Sequence, residues 1–161
     1  MDKLIIKNKN VIIFTLISTI LTFSYYKNLK KFVLGNSSSL STSNNSKYKA
    51  IYILNTNDQK KIESTLRNIK NAYNDPRLKD NLDIELIVFG EGVSVYFKSN
   101  PYEQLLLPLK SLGTIFKQCE NTIKDRNINK NDLFDFVTYV PSANGEIILK
   151  QHQGYASIHP W

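Results

Sequence analysis

The hydrophobic positions of this chain change their spacing several times, and the changes mark out its elements. Val11–Phe23 is a nearly unbroken apolar run, softened by Thr15, Ser18, Thr19 and Thr22. Residues 35–46 (GNSSSLSTSNNS) then offer almost nothing to bury. Such a segment cannot recover its ordering entropy and reads as a flexible tether. The foldable pattern starts near Lys47. Tyr48–Leu54 is β-branched and aromatic, which predicts a strand. Asn55-Thr56-Asn57-Asp58 offers several helix caps, and Ile62, Leu66, Ile69 and Tyr73 follow at helical spacing until Asn74-Asp75-Pro76 stops them. Ile84–Phe89 is a short apolar run, predicted as a central strand of a parallel sheet. Gly90-Glu91-Gly92 predicts a tight turn whose backbone is free to approach a ligand.

Val93–Tyr96 reads as a helix start or a short extension. Pro101–Leu112 is helical through Leu105, Leu106, Leu109 and Leu112, with a kink or a break into two short helices expected at Pro108. Thr114–Gln118 predicts a third strand ending at Cys119, followed by a helix over Thr122–Arg126 and a polar turn over Asn127–Asp132. Phe136–Val140 predicts a fourth strand. Pro141-Ser142 opens the last helix, with Ile147 and Ile148 facing inward and Glu146 paired with Lys150 four residues on. Gly154 ends that helix, and Tyr155–Ile158 is a final short strand. The fold class is therefore α/β, a mostly parallel sheet of about five strands with helices on both faces.

Composition narrows the function classes. The 161 residues are 42% hydrophobic and 22% charged, sufficient for one domain with a real core. The net charge of +7 first suggests nucleic acid. Six lysines against one aspartate lie in residues 1–46, however, leaving fifteen basic against thirteen acidic residues in the foldable part. That part has no basic stripe of the kind a phosphate backbone needs, so no nucleic-acid partner is expected. A basic start and an apolar run match a secretory signal, or an anchor if Tyr25 and Tyr26 extend the run. The expected organisation is a signal peptide or signal anchor over 1–26, a linker over 27–46 and an α/β domain over 47–161. The protein is then exported, either periplasmic or held at the inner membrane facing the periplasm. Lys3, Lys7 and Lys9 are answered by Lys27, Lys30 and Lys31, which leaves the orientation open.

The candidate chemistry lies in the stretch from Gly113 to Arg126, which holds the only cysteine. A single cysteine excludes an intramolecular disulfide and a Cys-rich zinc site. His152 and His159 fit no zinc spacing, and no phosphate loop or serine-hydrolase elbow is present, so neither metal nor cofactor is expected. Cys119 would sit at the carboxyl end of a strand, where chemistry gathers in open α/β sheets. There the N-terminus of the helix directly after it would favour the thiolate. Glu120 opposes that effect, and Lys117 and Lys124 assist it if they face the sulfur. The plainer reading is a half-buried small hydrophobe.

Four blocks of the chain resemble the DsrE/DsrF-like family, whose small α/β fold is also called YchN-like. They are Ile84–Val93 with its glycine turn, and Leu112–Ile128 around Cys119. The other two are Val140–Ile147 and the ending Gln151–Pro160. The resemblance implies a homo-oligomer, a trimer or hexamer, and for some members sulfur relay with a persulfide on the cysteine that Cys119 matches. Donor and acceptor proteins would be its partners. Asn127 stands where relatives commonly have glycine, and Asn55 or Asn57 where a histidine is often seen. Asn121 or Thr122 takes the place of a second thiol. Gly90 and Gly92 would form one wall of the site, and Asn121 and Thr122 would offer donors to a sulfur anion. Turn geometry and helix capping explain the same four residues structurally. Two readings follow: a sulfur carrier or transfer protein acting through Cys119, which should then alkylate rapidly near neutral pH, or a non-enzymatic oligomeric binding module tethered at the membrane. Whether the domain is an enzyme stays open.

Overall fold

In β1 (Tyr48–Leu54), successive side chains enter two different cores, as the period of a strand requires. Ala50, Tyr52 and Leu54 join a large cluster, while Ile51 and Ile53 join a small one on the opposite face. The computed structural model describes Tyr25 and residues 47–159; the expected leader and linker otherwise lie outside the described residues. Among those residues no helix is long and apolar enough to cross a membrane.

The chain continues through α1 (Gln59–Asn74), β2 (Leu82–Val88), a 3-10 turn (Gly90–Tyr96) and α2 (Glu103–Ser111). Next come β3 (Ile115–Cys119), α3 (Glu120–Asp125), a second 3-10 turn (Lys130–Asp132), β4 (Thr138–Val140), α4 (Ala143–His152) and β5 (Ala156–Ile158). All strand pairs are parallel, in the order β4-β3-β2-β1-β5. The first three crossovers step in one direction across the sheet, so right-handed connections put α1, α2 and α3 on one face. The fourth returns past the whole sheet to the far side of β1, which sends α4 to the other face. The two cores follow this division. Ile62, Leu66, Ile69, Leu106, Leu109 and Ile123 line the large core, and Ala143 and Ile147 the small one. The expected mostly parallel five-stranded α/β sheet with helices on both faces is what forms.

Local expectations fare unevenly. Asp58 caps α1 by accepting from the Lys61 N–H at 2.9 Å. Asn127 takes the left-handed conformation at φ 50°, as asparagine can. Pro108 does not divide α2; one helix runs through it. The missing N–H costs a single bond, and full burial of Leu106 on one side and Leu109 on the other outweighs it. Leu105 and Leu112, which carry the predicted helical pattern, are exposed, and so is Ile148, expected inward, at 66%. Strand β2 starts two residues before the predicted run, and β4 is shorter than predicted. Phe136 leaves the strand and stacks on Phe134, with ring centroids 5.2 Å apart.

Candidate functional site

Cys119 is the last residue of β3 and pairs in register with Val140, the last residue of β4. After β3 the chain departs toward the face of α1 and α2; after β4 it departs toward the opposite face. Adjacent parallel strands whose connections leave on opposite sides define the switch point where α/β sheets build their sites. The cysteine stands there.

Its sulfur does not serve the helix that follows it. Cys119 is the N-cap residue of α3, with extended backbone, and its side chain makes no capping bond. Sγ instead accepts from the Ala143 N–H at 3.4 Å, the first residue of α4. Ser142 caps that helix by accepting from Gly145 N–H, and another first-turn donor, Ala143 N–H, is aimed at sulfur. The helix start that meets the sulfur is therefore that of α4, a ten-residue helix from the other face. Nearby Gln118, fully buried, donates to the Cys119 carbonyl at 3.1 Å and holds the strand end.

The thiol is buried at 5% exposure, among Ile51, Ile87, Val140 and Ala143. The openly reachable sulfur expected from the sequence is covered by α4. Of the other candidate residues, Gly90 and Thr122 are brought together: the Gly90 N–H donates to Thr122 Oγ1 at 2.9 Å, tying the β2 turn to α3. Gly90 has φ 56°. Gly92 packs against the end of β1, where an added Cβ would lie 2.4 Å from the Leu54 carbonyl oxygen. Its glycine is thus required by the path of the chain. Asn121 is exposed on the first turn of α3. Among the described residues no three His, Cys, Asp or Glu side chains are grouped as metal ligands.

One step down the same face lies a cluster that sequence reasoning missed. Glu85 sits in the central strand at 1% side-chain exposure. Lys117 reaches it at 2.9 Å and Glu146 at 2.6 Å, and Lys150 reaches the second oxygen of Glu85 at 2.6 Å. Lys150 and Glu146, the pair expected at i+4, are 3.8 Å apart, so each finds its nearer partner on the sheet. Burial pushes the Glu146 carboxyl up, but the Lys117 hydrogen bond and charge outweigh it, and the group ends below the usual carboxylate range. For Lys150, burial pushes down and Glu85 pushes up; the net value is raised. The available signal was Glu85 itself, a lone charge inside the apolar run Ile84–Phe89.

A family model described as DsrE/DsrF-like matches residues 47–160. The chain belongs to the DsrE/DsrF-like family. No curated protein matches it. Among solved structures it is similar to MTH1491 of Methanobacterium thermoautotrophicum, a protein of unknown function. The identity is 26% and the TM-score 0.66, covering 70% of this chain and 99% of that one. It is also similar to the ychN protein of E. coli, with a TM-score of 0.55 at 16% identity, covering 71% and 99%. This second likeness concerns the fold. In this DsrE-like domain the strand end, the sulfur and the start of α4 form the functional candidate, with the four-charge cluster fastening α4 beside them.

Proposed function

We propose that this DsrE-like domain carries sulfur as a persulfide on Cys119, accepting it from one protein and passing it to another. The observation that carries the reading is the Ala143 N–H directed at Sγ where β3 and β4 part. A donor at a helix start favours the thiolate, which is the nucleophile in sulfur exchange. In the loading step the Cys119 thiolate attacks the outer sulfur of a donor persulfide. A new S–S bond forms on Cys119, the donor's S–S bond breaks, and the donor leaves as a thiolate. An acceptor thiolate then takes the same sulfur by the same exchange, with no net oxidation in either step.

The exposed Ile148 and Leu149 of α4, with Ile115 and Leu112 at the start of β3, support the further proposal that copies of the chain associate, as the trimer or hexamer implied by the family resemblance. The basic, apolar leader supports export and membrane tethering, with the domain facing the periplasm. Incubation with inorganic polysulfide followed by intact-mass spectrometry tests the carrier role. One added sulfur atom is expected on the unaltered chain and none on Cys119→Ser. A chain that takes up no sulfur leaves the non-enzymatic oligomeric module as the reading.

A further inference from the structure

A buried thiol that exchanges sulfur with other proteins has to be uncovered, and the fastening of α4 indicates how. Of its ten residues only Ala143 is fully buried, whereas α1 buries four side chains. Beside the half-buried Ile147, what binds the middle of α4 to the sheet is charge: Glu146 to Lys117, and Lys150 to Glu85. Lys117 precedes Cys119 by two residues on the same face of β3, and Glu146 follows Ala143 by three on α4. The ion cluster and the N–H to sulfur contact are thus adjacent rungs between the same strand and the same helix.

We infer that Lys117 and Glu146, backed by Glu85 and Lys150, are positioning residues for the Cys119 thiol: they latch α4 over the sulfur, and their parting uncovers it. The inference rests on the carrier reading for its purpose, but not for its geometry. A charge latch suits a cover that must open. Separating an ion pair exposes groups that water solvates well, whereas lifting an apolar helix face exposes groups that water does not. The groups facing Glu146 are Lys117 from β3, Glu85 from β2 and Lys150 from its own helix. Beyond them Tyr155 lies under Lys150, its ring 4.7 Å away, with Lys49 of β1 over the same ring at 5.6 Å. The latch is closed while the carboxylates and ammonium groups are all charged, and it loosens as acid neutralises Glu146.

The test is iodoacetamide alkylation of Cys119 in the folded full-length chain. Glu146→Gln is expected to react roughly tenfold faster, the change produced when a local opening gains about 1.4 kcal/mol. Glu146→Asp, which keeps the charge, is expected to restore most of the slow rate. The faster rate must also be insensitive to low urea, since local opening exposes little surface while global unfolding exposes much. Equal rates for Glu146→Gln and the unaltered chain overturn the latch. A fast rate that climbs steeply with urea overturns it too, since that is loss of the whole fold. If Glu146→Gln does not fold, hydrogen exchange of the unaltered chain decides. Corrected for intrinsic pH dependence, α4 amides must open relative to α1 amides as pH falls below the carboxylate range, and parallel behaviour overturns the inference. Polysulfide loading, read by mass on the same samples, separates the two readings. A chain with a working latch and no persulfide refutes only the carrier role, and a loaded chain with no latch effect refutes only the latch.

Discussion

On one face of the sheet α1 buries Ile62, Thr65, Leu66 and Ile69, and α2 adds Leu106 and Leu109; on the other α4 buries Ala143 alone. The first face draws its stability from apolar area removed from water, a force with no preferred direction. The second joins a smaller apolar cluster around Ile51, Ile87 and Val140 to four charges whose desolvation largely offsets their attraction, so the charges fix a placement more than they add stability. The lesson is that the two sides of one sheet divide the work. One keeps the chain folded; the other sets the start of α4 against the strand end that carries Cys119.

Substitutions can break or sharpen that contrast. The largest effect is expected from Leu106→Ala, at about 2–5 kcal/mol of lost stability in urea denaturation. A loss below about 1 kcal/mol would mean that the large core is not the main source of stability. Gly92→Ala is expected to cost about 1–3 kcal/mol by the same measurement, because its Cβ meets the rigid Leu54 carbonyl and not a yielding side chain. Ile147→Ala, only partly buried on the α4 side, should cost less than about 1.5 kcal/mol. A cost equal to that of Leu106→Ala would erase the distinction between the faces.

The pH dependence isolates the charged side. The lowered Glu146 contributes stability that is present above the ordinary glutamate range and lost as pH falls through its folded value. The raised Lys150 contributes stability that is present below the ordinary lysine range and lost as pH climbs through its folded value. Amide exchange in α4 is therefore expected to be slowest, relative to α1, between those two limits. The smallest effect, about 0.5 kcal/mol or less, is expected for Lys47→Ala, which breaks an exposed pair with Asp83 at the far end of the strands.

Much of this fold was legible because its signals are local. The limits of β1, the Asp58 cap and the halt at Asn74 follow from residue type and spacing alone. Two of the misreadings share one cause. Whether Ile148 faces in or out, and which helix directs its first N–H at Cys119, depends on where the last crossover lands. That is set by the strand order, and periodicity along the chain carries no record of it. Pro108 shows the same from the energetic side, since burial of Leu106 and Leu109 decided a helix that local rules would divide. Position at a strand end singled out the cysteine as a candidate, but nothing along the chain revealed the four charges that meet between the sheet and α4.

Because α4 follows Cys119 in the chain, a ribosome releases the sulfur before it releases the helix that shelters it. A nascent domain therefore exposes its one thiol to passing oxidants and disulfides until Ala143 and Glu146 emerge and dock.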